Sequence, residues 1–134
     1  PTIMPIQAEN KALDNDPRFR NLWRPLDINE IPRLVASGKT VFVDVTAEWC
    51  LTCQINKTFV IVQDDILRRL EQKDVIAMQA DWTLPDSSIT AYLVSFGRYG
   101  IPFNVVYGSK TPTGIVLPEL LMRNAVIEAL DRAR

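Results

Sequence analysis

The sequence predicts an α/β fold, a mixed central sheet flanked by helices, and three observations carry that expectation. Val41-Phe42-Val43-Asp44-Val45 is a nearly continuous β-branched run, the pattern of a strand buried on both faces. Helical periods alternate with further runs of this kind, and strand-helix-strand units favour parallel pairing between helical layers. A length of 134 residues fits one compact domain, which hides roughly two-thirds of its unfolded surface without needing disulfide or metal staples.

Residues 1–25 are polar and proline-bearing and lack a steady apolar period, so they are expected to form an extended lead-in or linker that packs at Phe19, Leu22 and Trp23. Residues 26–134 are expected to form the domain proper. Its first helix should use Asp27 as N-cap and Glu30 as capping-box partner, bury Ile31, Leu34 and Val35, and stop at Gly38. After the first strand, the period through Ile55, Phe59 and Val62, and then through Ile66, Leu67 and Leu70, fits one kinked helix or two. Val75 to Ala80 reads as a second central strand. Pro85-Asp86 opens a helix carrying Ile89, Tyr92, Leu93 and Phe96, which ends near Gly97 and Gly100. Phe103 to Tyr107 and Thr113 to Leu117, separated by a turn containing Gly108 and Pro112, are close enough for a hairpin. Pro118 should start a last helix with Leu120, Leu121, Val126, Ile127 and Leu130 on one face and Arg132 and Arg134 at its negative end.

Composition excludes several functions. Fifteen basic and sixteen acidic residues leave a formal net charge of -1, too little field to attract a polyanion, so no nucleic-acid partner is expected. The absence of histidine removes Ser-His-Asp and Cys-His catalysis and His-ligated haem. Two cysteines without a histidine cannot supply a four-coordinate Cys/His zinc site, and neither metal nor cofactor is expected. The longest apolar runs, such as Phe59-Val60-Ile61-Val62, fall far short of the roughly 20 residues that span a bilayer, which predicts a soluble domain. The chain begins at Pro1 with no charged-then-apolar signal segment, so a processed product and an excised domain both stay open.

Cys50 and Cys53 form C-L-T-C at a strand-to-helix junction, with Gln54 where a haem-attachment motif needs histidine. A disulfide closing so short a ring restrains the unfolded chain by only about 2 kcal/mol, against roughly 5 for a long loop, so stapling is a weak use of the pair. Redox exchange is a strong one. At the first turn of a helix, unpaired N–H groups and the macrodipole stabilise a Cys50 thiolate, the form that attacks a disulfide. Cys53, one turn on and expected to be more buried, then resolves the mixed disulfide. Asp44, in the middle of an apolar strand, is costly to bury unless a raised pKa lets it exchange protons with the pair. A solvated strand end is the alternative for Asp44, and a plain exposed acid for Glu48. Lys57 could favour a thiolate one turn away but reads first as a solvated lysine, and Trp82 reads first as a packed loop aromatic.

The segment VFVDVTAEWCLTC resembles the active-site segment of thioredoxins, with strand, buried aspartate, Trp49 and the cysteine pair in register. YGIP at Tyr99 to Pro102 resembles the loop whose proline is cis and faces the cysteines. That resemblance implies a thioredoxin-like fold, a cis Pro102 and an Ile101 backbone that hydrogen-bonds an extended substrate; Tyr99, just before this loop, could touch a partner. TAEWCLTCQINK, ADWT at Ala80 to Thr83, FGRYGIP at Phe96 to Pro102 and LPELL at Leu117 to Leu121 resemble more closely the C-terminal thioredoxin-like domain of the membrane thiol:disulfide interchange reductases of the DsbD and ScsB type. This resemblance implies a soluble domain of an inner-membrane protein at the periplasmic face. There it would take electrons from a membrane-embedded donor domain and pass them to an extracytoplasmic thiol protein or domain. The isolated domain is expected to be monomeric. Leu51-Thr52 and Leu117-Pro118 depart from plain thioredoxin, where Gly-containing turns stand.

The function expected is therefore that of a protein-disulfide reductase, with Cys50, Cys53, Asp44 and Glu48 catalytic and Trp49, Tyr99, Ile101 and Pro102 binding substrate. A redox-inactive thioredoxin-like binding module and a Cu(I)-holding dithiol are the competing readings.

Overall fold

The computed structural model describes residues 11–134; the part of the lead-in before residue 11 lies outside the described residues. Residues 11–14 are helical. There follow α1 (Pro17–Arg20), β1 (Trp23–Pro25), α2 (Ile31–Ala36), β2 (Thr40–Thr46), α3 (Leu51–Asn56), a π-helical turn (Lys57–Ile61) and α4 (Asp64–Leu70). The chain continues through β3 (Val75–Asp81), α5 (Ser87–Ser95), β4 (Phe103–Gly108), β5 (Thr111–Val116) and α6 (Arg123–Ala133). The strands form one mixed sheet in the order β1-β3-β2-β4-β5, with β1, β3 and β2 parallel, and β4 antiparallel to both β2 and β5.

Strand alternation divides the core. Val41, Val43 and Val45 of β2 point to one face, where they meet Ile31, Val35, Ile89, Tyr92 and Leu93 from α2 and α5. Phe42 points to the other, among Ile61, Ile66, Leu70, Val126 and Leu130 from the π turn, α4 and α6. The period of two therefore sends Asp44 to the same side as Phe42, the face that carries the helices following the cysteines. The helical run after Cys50 is two helical stretches: α3 runs on into the π turn, the chain breaks at Val62-Gln63, and α4 follows. The expected stops at Gly38 and Gly97 stand at φ +93 and +71, left-handed positions that glycine takes at no steric cost.

Four local expectations are corrected. Asp27 does not cap α2: Glu30 holds the cap position without a side-chain bond and pairs instead with Arg33 at 2.6 Å. Pro32, at the start of that helix, has no N–H for a cap to satisfy. Pro118 does not begin the last helix, which starts at Arg123. The amide of buried Asn56 captures the intervening chain, donating to the Glu119 carbonyl at 2.8 Å and accepting from the Leu121 N–H at 2.9 Å. Pro112 lies in β5, on the sheet edge, where a missing donor is tolerated. Finally, Trp23–Pro25 is a strand, paired with Ala77–Gln79 of β3. Three residues are too few to show a period, so only the packing of Phe19, Leu22 and Trp23 was legible.

Candidate functional site

The parallel strands β2 and β3 end side by side, Thr46 opposite Asp81, and the chain leaving β2 turns directly into α3. That turn carries the cysteines. Cys50 is the N-cap of α3, and its Sγ accepts from the Cys53 N–H at 3.2 Å. A sulfur at this position uses one of the donors that the first helical turn leaves unpaired, which favours a thiolate once the pair is reduced. The two sulfurs are joined as a disulfide, with Cα atoms 5.2 Å apart.

The expected difference in burial between the two cysteines is absent in this oxidised state, where Cys50 is 6% and Cys53 5% exposed. The sulfurs share one bond and one apolar pocket, with Ala47 and the flanking Ile101. What differs is their neighbours. Trp49 and Leu51 beside Cys50 are 61% and 49% exposed, whereas Asn56, one turn after Cys53, is buried. The Ile101-Pro102 peptide is cis, Pro102 is buried, and Tyr99 stands almost free in solvent. The exposed large side chains of the turn and the cis-proline loop, their rim, are thus Trp49, Leu51 and Tyr99.

Beneath the rim lies a polar layer inside the sheet. Asp44 is aligned with Gln79 on β3 and Asn104 on β4, one residue from each of three adjacent strands. Gln79 Nε2 donates to Asp44 Oδ2 at 3.1 Å, and Asn104 Nδ2 donates to Asp44 Oδ1 at 2.7 Å. Asp44 is buried, so the solvated strand end is ruled out. Burial pushes its carboxyl above the ordinary aspartate range, and the bonds from Gln79 and Asn104 and the charge of Lys57 offset this only in part. A buried acid with raised proton affinity is a candidate for proton exchange with the cysteines. Sequence reasoning singled out Asp44 but not its partners, because the alignment of residues 35 and 60 positions away comes from sheet register.

Lys57 is not the solvated lysine first expected. Its side chain is only 14% exposed, its Nζ lies 2.6 Å from Asp14 Oδ1, and it sits 5.6 Å from the centre of the Phe19 ring. The segment before β1 is thereby fastened to the chain just beyond Cys53. Glu48 is exposed and engages through its main chain, its carbonyl accepting from Gln54 Nε2. Trp82 packs against the α2 and α5 face of the core, its ring 6.4 Å from that of Trp49. Among the described residues no group of three or more Cys, Asp or Glu is placed to hold a metal ion, and no helix is long and apolar enough to cross a membrane.

Fold, cis-proline loop and paired cysteines at a helix start define a thioredoxin-like thiol-disulfide oxidoreductase domain. A family model described as thioredoxin-like matches residues 30–109, more than half of the chain, and the protein belongs to that family. The thiol:disulfide interchange protein DsbD of Ralstonia nicotianae is 29% identical over 102 residues, 73% of this chain and 16% of the relative. DsbD of Colwellia psychrerythraea is 33% identical over 75 residues, 55% of this chain and 12% of the relative. The chain therefore spans about a sixth or less of the length of these curated relatives. Among solved structures, the reduced C-terminal domain of Neisseria meningitidis DsbD matches with a TM-score of 0.60 at 21% identity, over 79% of this chain and 92% of that one. A thioredoxin from Thermus thermophilus matches with a TM-score of 0.58 at 24% identity, over 82% and 84%. At such identities the structural matches speak for the fold, while the sequence matches point to the DsbD-type thioredoxin-like domain.

Proposed function

We propose that this domain is a protein-disulfide reductase that receives electrons from a membrane-embedded donor domain and hands them to an extracytoplasmic thiol protein or domain. The observation that carries the reading is the Cys50–Cys53 disulfide at the start of α3, just beyond β2, the strand in which Asp44 is buried. In the reduced domain the Cys50 thiolate attacks one sulfur of the partner's disulfide, and the other partner sulfur leaves and takes up a proton. Cys53 then loses its proton, with Asp44 as the nearby acceptor, and its thiolate attacks Cys50 Sγ. The second partner sulfur leaves as a thiol and the Cys50–Cys53 disulfide forms. Two electrons have passed to the partner; of the two protons its thiols gain, one comes from Cys53 and the other from water, and a donor dithiol resets the pair by the reverse sequence. Trp49, Tyr99 and the Ile101 backbone form the platform on which an extended partner segment lies. The likeness to DsbD supports a periplasmic placement.

Direction follows from charge. The helix start stabilises a Cys50 thiolate, but no arginine or histidine adjoins the pair and the acids Asp44 and Glu48 oppose the charge. The reduced form is therefore not strongly favoured, and the potential is expected on the reducing side of the disulfide isomerases, roughly below -180 mV. A redox titration against glutathione and dithiothreitol tests this. A potential of roughly -120 mV, as in a strong oxidase, would reverse the assigned direction. A pair that stays oxidised in excess dithiothreitol would make the domain a binding module.

A further inference from the structure

The turn that follows β3 holds the active-site turn at three points. Trp82 N–H donates to the Thr46 carbonyl at 2.7 Å and so carries the pairing of β3 with β2 one residue beyond the sheet. Glu48 N–H donates to Thr83 Oγ1 at 2.9 Å, and Trp49 Nε1–H donates to the Thr83 carbonyl at 3.1 Å. Thr83 is itself oriented from below. Its own N–H donates to Asp81 Oδ1 at 2.9 Å, and its hydroxyl donates to the same oxygen. A hydroxyl has one proton to give and lone pairs to accept with, and here Asp81 takes the proton while Glu48 N–H supplies the accepted bond. The bond to Asp81 therefore fixes the direction in which Oγ1 can accept.

The two bonds accepted by Thr83 fasten the two residues immediately before Cys50, one of which carries the large exposed ring of the rim. A free tryptophan at 61% exposure would sample several rotamers, and a partner would have to order it on docking. Fastening the indole N–H and the Glu48 backbone removes that cost beforehand.

We propose that Thr83, oriented by Asp81, is a positioning residue that presets Trp49 and the Glu48-Trp49 backbone as a ready platform for a polypeptide disulfide partner. The proposal rests on the disulfide-exchange reading above. It assigns Thr83 to partner docking and leaves the sulfur chemistry to Cys50 and Cys53. A small disulfide, which reaches Cys50 without lying across the rim, is insensitive to it.

The test uses the full chain and three variants. Thr83→Val keeps the branched shape and loses the hydroxyl, Thr83→Ser restores the hydroxyl, and Asp81→Ala releases both bonds that orient Thr83. The readouts are kcat and KM for reduction of insulin disulfides, and the rate at which the reduced protein reacts with glutathione disulfide. Thr83→Val is expected to raise KM for insulin about three- to tenfold, the equivalent of one lost hydrogen bond, and to leave the glutathione disulfide rate within about twofold. Asp81→Ala should match or exceed that rise, and Thr83→Ser should return KM to within about twofold of the parent. An unchanged KM in Thr83→Val, an equal slowing with glutathione disulfide, or failure of serine to rescue would each overturn the assignment. Hydrogen exchange of the Glu48 backbone N–H, whose acceptor is the Thr83 hydroxyl, is read by NMR and is independent of activity. It should be protected in the parent and in Thr83→Ser and lose protection in Thr83→Val and Asp81→Ala, and the Trp49 indole N–H, held by the Thr83 carbonyl, should be protected in the parent. Loss of insulin reduction in the parent would sink the exchange reading while this measurement still decides the position of Trp49. An indole proton unprotected in the parent would overturn the proposal.

Discussion

The rim and the floor of the same site are built on opposite terms. The rim, Trp49, Leu51 and Tyr99, leaves apolar rings and chains in water and is held by a few bonds from a neighbouring turn. The floor, Asp44, Gln79 and Asn104, places polar groups inside the sheet, with both carboxylate oxygens accepting a bond. Exposed apolar surface costs the isolated fold little and is recovered when a partner covers it. A buried carboxyl costs stability at every pH at which it ionises, and such a cost is retained where a proton has to be moved. The rim should therefore govern which partner binds, and the floor how the cysteines exchange protons.

The largest expected effect separates the two cysteines from everything around them. Cys50→Ala should abolish disulfide exchange. Cys53→Ala should retain attack but accumulate mixed disulfides through Cys50, visible as a mass increase that dithiothreitol reverses. Trapping by the Cys50 variant alone would invert the roles. In the reduced protein, Cys50 should alkylate faster than Cys53, because its neighbours Trp49 and Leu51 lie open to solvent.

Next comes the floor. Asp44→Asn should slow resolution of the mixed disulfide on the order of 100-fold at neutral pH, the low end of what a positioned proton acceptor contributes. It should also raise stability in a pH-dependent way. Because burial raises the folded-state pKa of Asp44, its contribution to stability is complete below the ordinary aspartate value and is lost as pH rises through the folded value. The variant and the parent should thus melt at similar temperatures near pH 3 and diverge above it, with the variant higher at pH 8. A parent that is the more stable at pH 8 would show that the ionised Asp44 is compensated by its partners.

Rim substitutions should be smaller and of a different kind. Trp49→Ala is expected to raise KM for a protein disulfide about tenfold, as the loss of an aromatic anchor does, and Tyr99→Ala somewhat less, with kcat changed little in either. Steady-state kinetics with insulin would show this, and a fall confined to kcat would move these residues from docking to chemistry.

Lys57 and Asp14 should give the smallest effects, in opposite directions. The Lys57 charge lowers the proton affinity of Asp44, and Asp14 faces that charge at 2.6 Å. Lys57→Met should shift the pH profile of resolution upward, and Asp14→Asn should shift it downward by unmasking the lysine. Shifts of the same sign would mean that the pair acts by fastening the N-terminal segment rather than by its charges.

The sequence by itself determined the class of fold, the order of its central elements and the place of the chemistry. A continuous apolar strand, a cysteine pair at the start of a helical period and an acid six residues before it are local patterns, each set by short-range periodicity or spacing. What local pattern does not encode was decided by tertiary structure. Asn104 and Gln79 meet Asp44 through strand register, and Thr83 meets Trp49 because β2 and β3 end together. The three-residue β1 exists only because β3 offers it an edge, and Asn56 delays α6 to Arg123 by holding chain more than sixty positions away. Lys57 is half-buried because Asp14 and Phe19 fold back over it. The partners of a buried or fastened group lie far off in the chain, and only the packed sheet brings them within hydrogen-bonding distance.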